Sequence, residues 1–213
     1  VPEMERRGVE VFLGTMERAD ERLVEDVLAD PEIGGRLGGV AFQWAGKGAV
    51  PFVHHDHPEL TIYQSEQECG DGRNDWRYAR YAWGMMRHYF TNGASVYDYW
   101  NLCLDEGGVS RWGWSQNSFV TVNPETAEYR FNHEYYVWKH LAHFVRPGAR
   151  FAPTLSYTGH ENVLAFVNPD GSVVLAAQND MSTDMPISFG VDGRLVRLTL
   201  PADSISTVLL PAA

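Results

Sequence analysis

The stretch Thr61-Ile-Tyr-Gln-Ser-Glu66-Gln-Glu-Cys-Gly70 carries a short β-type run directly into a glycine-bearing turn. Its first six residues, Thr61–Glu66, are predicted to form a strand. An amphipathic helix is predicted for residues 74–91, where large apolar side chains recur with the helical period. A strand followed by a helix is the unit of a parallel sheet, in which functional side chains gather at the carboxyl ends of the strands. Glu66 lies at such an end and is the candidate catalytic carboxylate.

Similar units flank this stretch on both sides. Strands are predicted at residues 9–13, 39–44 and 94–100, and helices at residues 21–29 and 134–145. Beyond Gly148 the pattern changes to the period-two alternation of half-buried strands, at residues 163–167, 172–178, 187–191, 195–200 and 204–210. Asp170-Gly171 and Asp192-Gly193 have the residue types of type I′ hairpin turns. The sequence therefore predicts parallel β/α units over residues 1–148 and a small antiparallel β domain over residues 149–213.

Composition restricts the class of ligand. The 213 residues include 44% hydrophobic residues, enough for a buried core, and carry a formal net charge of −11. Binding to nucleic acid or to an anionic membrane needs clustered Lys and Arg, so neutral or weakly polar ligands fit better. No apolar run reaches the roughly 20 residues of a membrane-spanning helix, and two cysteines leave the redox compartment open. The dense run of residues 54–57 (His-His-Asp-His) has no distant partner motif, so no metal site is predicted.

Several motifs, in order along the chain, resemble those of glycoside hydrolase family 30, the retaining β-glycosidases that include glucosylceramidases and β-1,6-glucanases. Gly39-Val-Ala-Phe-Gln-Trp44 is similar to the family's Gly-x-Ala-x-His-Trp motif on strand six, with Gln43 in the His position. Ser65-Glu66 matches the nucleophile motif on strand seven. Tyr99-Trp100-Asn101-Leu102 is similar to the Asp-Trp-Asn-Leu motif on strand eight, with Tyr99 in place of Asp. The stretch Trp112-Gly-Trp114-Ser-Gln-Asn117 resembles the substrate loop that follows.

The resemblance implies a fold and a set of functional residues. The family combines a (β/α)8 barrel with a β-sandwich, and the matched motifs correspond to barrel strands five to eight, half of the barrel, followed by the sandwich strands. Glu66 is implied as the catalytic nucleophile and no cofactor is implied. The chain has no Asn-Glu-Pro, the family's acid/base motif on strand four, so the proton donor is expected outside the matched motifs. The residues expected to bind a carbohydrate substrate are Gln43, Trp44, Trp100, Trp114 and Asn117.

Other interpretations of the sequence stay open. The chain could be a non-catalytic carbohydrate-binding or vestigial form that keeps the aromatic residues but has lost the acid. It could also be one segment of a longer enzyme, separated from an N-terminal half. Four parallel strands leave two open edges, so a homodimer that builds an eight-stranded pseudo-barrel is a further hypothesis. Glu17 and Glu68 are candidate proton donors within the chain, because both follow predicted strands.

Overall fold

A four-stranded parallel sheet forms the centre of the first part of the computed structural model, which describes residues 1–212. Its strands lie side by side in chain order and all run parallel. They are β1 (Phe12–Met16), β2 (Gly39–Gln43), β3 (Thr61–Glu66) and β4 (Ala94–Tyr97). The helices of this part are α1 (Pro2–Arg6), α2 (Arg22–Leu28), α3 (Val50–Asp56) and α4 (Trp76–Thr91). Mixed α/β architecture with a parallel sheet is therefore confirmed.

One face of this sheet forms the hydrophobic core with the helices. Val40, Phe42 and Ile62 of the strands are fully buried there. They pack in one cluster with residues of the helices, such as Val24 of α2 and Val53 of α3. Burial of aliphatic and aromatic side chains on this scale is the main stabilising term for such a layer, at roughly 25 cal/mol for each Å² of apolar surface removed from water.

The sequence located some elements better than others. The bounds of β3 agree with the prediction, and α4 begins at Trp76, where the Asp75 side chain caps the helix by accepting the Tyr78 backbone N–H at 3.0 Å. The helix α3 was not predicted, because Gly46 and Gly48 before it indicated a loop; Pro51 nevertheless suits its first turn. Strand β4 ends at Tyr97, so the prediction that it continues to Trp100 is wrong.

A small three-stranded sheet follows and was not predicted. Its strands are β5 (Cys103–Asp105), β6 (Val120–Val122) and β7 (Tyr129–Phe131), with β5 parallel and β7 antiparallel to β6. Three residues are too few to show a period-two pattern in the sequence. These elements belong to a compact unit that extends from Val1 to Glu134.

The second compact unit begins at Tyr135, within helix α5 (His133–Ala142), and is otherwise antiparallel. Its four-stranded sheet has the order β13-β10-β9-β8, and β11 and β12 form a separate hairpin. Phe189 of the hairpin packs against the buried side chains of the larger sheet, which gives a β-sandwich-like arrangement. The strands are β8 (Arg150–Phe151), β9 (Val163–Val167), β10 (Val173–Asn179), β11 (Met185–Val191), β12 (Arg194–Leu200) and β13 (Ser204–Leu210).

The two predicted hairpin turns differ in outcome. Asp192 and Gly193 both have positive φ, 49° and 74°, which is the type I′ conformation that the sequence predicted. At the other turn only Gly171 has positive φ, and its N–H donates to the Asn168 carbonyl at 2.9 Å. The prediction of a type I′ turn at Asp170-Gly171 is therefore wrong. The turn starts earlier because Pro169 has the fixed φ that suits the second position of a type I turn.

Candidate active site

A β-bulge at Ser65 decides where the candidate catalytic carboxylate points. Gln64 pairs with Phe42 and Glu66 pairs with Gln43, so Ser65 has no partner of its own in the register of β2 and β3. The Ser65 hydroxyl instead donates to the Phe42 carbonyl at 3.2 Å. Regular alternation would place Glu66 on the same face as buried Gln64. The bulge breaks that alternation and brings Glu66 next to Gln43 at the carboxyl end of the sheet.

Trp44 contacts this carboxylate directly. Its indole Nε1–H donates to Oε1 of Glu66 at 2.8 Å. The residue follows the last residue of β2 and has a φ of 47°, a left-handed conformation that is a genuine outlier for a bulky side chain. Strained residues of this kind concentrate at functional sites, where the surrounding structure holds them in place. The sequence indicated Trp44 only as an apolar wall and gave no sign of the hydrogen bond.

A second carboxylate, Glu68, lies behind Trp44 in a polar network that the sequence did not reveal. Lys47 donates to a carboxylate oxygen of Glu68 and also to the carbonyl of Trp44, the latter at 3.2 Å. The hydroxyl of Tyr81 donates to the other Glu68 oxygen at 2.7 Å. Burial and, second, this hydrogen bond raise the pKa of Tyr81, so its hydroxyl is a neutral donor at physiological pH. Both oxygens of Glu68 are thus engaged within the protein.

Open clefts begin at Trp44. One has a volume of about 600 Å³ and is lined by Trp44, Trp114 and polar or small residues that include Asp71 and Ser115. Trp114 is 47% exposed, and Trp112, 66% exposed, stacks on it with ring centroids 5.4 Å apart. Indole faces beside carboxylate and hydroxyl groups are the arrangement that binds a polyhydroxylated ring. Trp112 belongs to the motif of residues 112–117 but was not predicted as a site residue, although the Trp-x-Trp spacing is a usable signal.

Asn117 lies in the interior and is fully buried. Its side-chain oxygen accepts the backbone N–H groups of Gly72 at 2.8 Å and Asn74 at 3.2 Å, and its amide donates to Glu134 Oε1 at 2.8 Å. These bonds hold the loop between Glu66 and α4. Substrate binding by Asn117 stays a prediction, and the structure shows a support for the loop that the sequence did not indicate.

Trp100 and Gln43 complete the predicted set. Gln43 is half-buried and is the register partner of Glu66, so these two residues and Trp44 are brought together. Trp100 is 38% exposed and lies three residues after the end of β4. Among residues 1–212, the clefts described here and the network behind Trp44 do not include Trp100.

The histidine-rich run forms ordinary pairs. His57 Nε2 lies 2.8 Å from Glu25 Oε1, and His55 Nδ1 lies 2.8 Å from Asp56 Oδ1. Over the described residues there is no group of three His, Cys, Asp or Glu side chains placed to hold a metal ion. None of the helices within residues 1–212 has the length and apolar character needed to cross a bilayer.

Glu134 is the buried carboxyl group at the centre of the Asn117 support. Its Oε1 accepts from Asn117 and from the Tyr99 hydroxyl at 3.2 Å, while Oε2 is buried with no hydrogen-bond partner in the described part of the chain. Burial raises the pKa of Glu134 above its ordinary value, although the hydrogen bond from Asn117 acts in the opposite direction. Glu134 is therefore neutral over a wider pH range in the folded protein than in the unfolded chain.

This difference predicts a pH-dependent effect of Glu134→Gln. Because the folded state holds the proton more tightly, the contribution of Glu134 to stability is fully present below the unfolded pKa and is lost as pH rises through the folded pKa. Gln is neutral at every pH and keeps the acceptor for Asn117. We expect the melting temperature of Glu134→Gln, relative to the unsubstituted protein, to increase as pH rises from about 4 to 8. This difference in melting temperature is measured by thermal unfolding, followed by circular dichroism at several pH values.

The exposed Glu128 provides the control for this experiment. The difference in melting temperature between Glu128→Gln and the unsubstituted protein should change little over the same pH range. A Glu134→Gln difference that is equally flat would show that Glu134 does not titrate differently on folding.

Comparison with known proteins finds similarities that cover both parts of the chain. The profile of the glycosyl hydrolase family 30 beta sandwich domain matches residues 154–208. The lysosomal acid glucosylceramidase of Mus musculus is 25% identical over 206 residues, which cover 88% of this chain and 40% of that protein. The chain thus spans about two fifths of the length of this curated relative.

Several solved structures are also similar to this chain. SrfJ from Salmonella typhimurium superposes with a TM-score of 0.87 at 26% identity, covering 100% of this chain and 50% of that one. An endo-β1,6-glucanase superposes with a TM-score of 0.81 at 21% identity, covering 99% and 51%. Xylanase C from Talaromyces cellulolyticus gives 0.77 at 16% identity, covering 99% and 55%. The last two likenesses show the fold alone.

The relatives and neighbours named above by an activity are all glycosidases. The resemblance to glycoside hydrolase family 30 that the motifs predicted is confirmed by these similarities.

Proposed function

We propose that this chain carries the nucleophile of a retaining β-glycosidase, and that the nucleophile is Glu66. The observation that carries the proposal is the geometry of this carboxylate. A bulge pairs it with Gln43, and one of its oxygens accepts the indole N–H of Trp44 at 2.8 Å. The same Trp44 lines the aromatic cleft. The second oxygen of Glu66 is then available to attack a sugar.

The chemistry would proceed in two displacements. An oxygen of Glu66 bonds to the anomeric carbon as the bond to the leaving oxygen breaks, and a general acid gives that oxygen its proton. Water, deprotonated by the same acid/base group, then cleaves the glycosyl ester and restores Glu66 with net retention of configuration. In this mechanism the two carboxyl groups lie about 5–5.5 Å apart.

The acid/base residue is proposed to come from outside the matched motifs. Glu68 fits a supporting role better, because Lys47 and Tyr81 occupy both of its oxygens. Glu17 is exposed directly after β1, at the same edge of the sheet as Glu66, and is the candidate donor within this chain. A pH–rate profile whose basic limb is unchanged in Glu17→Gln would remove that candidate.

We propose β-glucosides or short β-glucans as substrates. The name of the curated relative, glucosylceramidase, supports a glucosyl group in the site. In this proposal Trp44, Trp100 and Trp114 provide apolar surfaces for sugar rings and Gln43 binds a hydroxyl near the reacting carbon. Asn117 acts indirectly, by holding the loop that follows Glu66.

The finer description of the fold is also a proposal. We propose that β1 to β4 correspond to strands five to eight of a (β/α)8 barrel, and that the barrel part ends near residue 148, with the β domain over residues 149–213. Coverage of half of SrfJ at a TM-score of 0.87 supports this correspondence. Helix α5 would then connect the two parts.

The outer strands β1 and β4 each have one edge without a partner strand in the described residues, which supports the hypothesis of a homodimer joined through these edges. We expect sedimentation of the purified chain at micromolar concentration to give twice its mass of 24.0 kDa. A stable species of the single-chain mass would remove the hypothesis.

Hydrolysis of an aryl β-glucoside by the purified chain, compared with Glu66→Gln, tests the proposed function. The alternative function is carbohydrate binding without catalysis, which the exposed Trp112–Trp114 pair favours. Calorimetric binding of a short β-glucan, without hydrolysis and without covalent labelling by an activated fluoroglycoside, would establish that alternative.

A further inference from the structure

Lys47 is an unusual residue in this chain, which has 17 basic side chains of which only Lys47 and Lys139 are lysines. It lies in the 3-10 helix Trp44–Gly48 that follows β2. Its ammonium group binds the Glu68 carboxylate and the Trp44 carbonyl, and its own carbonyl accepts from His88 Nε2 at 2.7 Å. A compact ammonium group with three donors can serve both oxygen atoms at once.

These contacts join α4 to the candidate nucleophile through a continuous series of hydrogen bonds. Tyr81 of α4 binds Glu68, Glu68 binds Lys47, Lys47 binds the backbone of Trp44, and the indole of Trp44 binds Glu66. Tyr81 and His88 are seven residues apart, so they lie on the same face of the helix. Both ends of the series rest on regular elements, since Glu66 ends β3.

The conformation of Trp44 explains why such a support is needed. With φ at 47° the residue occupies a backbone region that is strained for a non-glycine side chain. The backbone would relax from this region if nothing held its carbonyl, and the indole would leave Glu66 with it. Lys47 binds that carbonyl, and His88 fixes the backbone of Lys47 itself.

We propose that Lys47 and Glu68 are positioning residues: their ion pair anchors the backbone of Trp44 so that its indole N–H stays on Glu66. The consequence for catalysis rests on the proposed function. A donor fixed on Oε1 restricts rotation of the Glu66 carboxylate and keeps Oε2 directed at the anomeric carbon. Reactions that depend on such alignment lose rate when the attacking group is free to rotate.

Loss of a positioning residue should lower the rate of labelling while leaving the stability of the fold nearly unchanged. The Lys47 and Glu68 side chains are 34% and 24% exposed, and ion pairs near a protein surface contribute little to folding stability. Lys47→Met should therefore fold while losing the alignment of Trp44. We expect the maximal rate of covalent labelling of Glu66 to fall about tenfold, with the inhibitor's dissociation constant changed less than about threefold.

The labelling reagent is 2,4-dinitrophenyl 2-deoxy-2-fluoro-β-glucoside. An oxygen of Glu66 bonds to the anomeric carbon and 2,4-dinitrophenolate departs as an anion, so this step needs no proton donor. Lys47→Arg keeps a cation that can reach both acceptors, and we expect it to recover at least half of the labelling rate. The matched control is Lys139→Met, because Lys139 is the other lysine of the chain and is exposed. We expect this variant to be labelled at the rate of the unsubstituted protein.

A second measurement does not depend on the proposed function. The indole N–H of Trp44 gives one resonance in a ¹H–¹⁵N correlation spectrum, assigned as the one missing in Trp44→Phe. We expect this resonance to move in Glu66→Gln, in Lys47→Met and in Glu68→Gln, and to stay in place in Lys139→Met. A Trp44 resonance that does not respond to Lys47→Met would overturn the positioning role.

The two measurements distinguish the failure of each idea. Suppose that the resonance moves as expected, but neither the unsubstituted protein nor any variant is labelled. The positioning role is then supported and the proposed glycosidase activity fails. If the unsubstituted protein is labelled at Glu66 and Lys47→Met is labelled at the same maximal rate, the activity stands and the positioning role is wrong.

Discussion

Glu66→Gln is expected to lower the rate of covalent labelling by a 2-fluoro-β-glucoside, and the hydrolysis of aryl β-glucosides, by at least about three orders of magnitude. Gln has nearly the same size as Glu and its side-chain oxygen can still accept the N–H of Trp44, so the local structure should persist. The carboxamide is a poor nucleophile, and no glycosyl ester can form on it. The rate is measured by intact mass, since each labelled chain gains the mass of one fluoroglucosyl group.

A matched control and a mapping experiment complete this test. Glu32 is exposed, and Glu32→Gln should be labelled at the rate of the unsubstituted protein. Peptide mapping of the labelled protein should place the added mass on the peptide that contains Glu66. Labelling at another carboxylate, with Glu66→Gln fully reactive, would remove Glu66 as the nucleophile and leave the fold without an assigned catalytic group.

Asn117→Ala is expected to destabilise the protein by about 3 kcal/mol, the upper part of the range for leaving buried polar groups without partners. The substitution removes the acceptor of two backbone N–H groups, those of Gly72 and Asn74, and the donor to Glu134. Water cannot replace these bonds readily because Asn117 is fully buried. The loop between Glu66 and α4 should become mobile as a result.

Urea unfolding followed by tryptophan fluorescence measures this effect. Six of the seven tryptophans precede Glu134, so the signal reports mainly on the unit that contains Asn117. Asn123 is the matched control, because its side-chain oxygen also accepts two backbone N–H groups, those of Glu125 and Thr126, near the surface. We expect Asn123→Ala to cost no more than about 1 kcal/mol, and equal losses at the two positions would contradict the role of burial.

Strands could be predicted from the sequence where the local residue pattern agreed with the burial of the same residues in the fold. Residues 61–66 form a strand both because Thr61, Ile62 and Tyr63 are β-formers and because Ile62 and Gln64 are buried. The helix α3 was missed because its signals are weak, although Val50 and Val53 are fully buried in the core. Their burial depends on what packs against them, and a helix of seven residues is too short for its period to report it.

The candidate site was harder to predict from local sequence than the strands and helices were. Glu66 was predicted from its position at the end of a strand, and Trp44 and Gln43 were predicted from a neighbouring motif. The bulge at Ser65, the left-handed Trp44 and the role of Lys47 depend on pairs of residues separated by about 20 positions in the chain. Asn117 was predicted as a residue for a sugar because its partners, Gly72 and Glu134, could not be identified from spacing.

The bulge at Ser65 also means that the direction of the Glu66 carboxylate depends on how β3 is paired with β2. A β3 strand shortened by this one serine would restore strict alternation and would still pair Glu66 with Gln43, on the face opposite Gln64. A shift of register that paired Ser65 with Gln43 would instead carry Glu66 to the face of Gln64 without changing any side chain. The pairing of this segment is thus as much a part of the site as its residues.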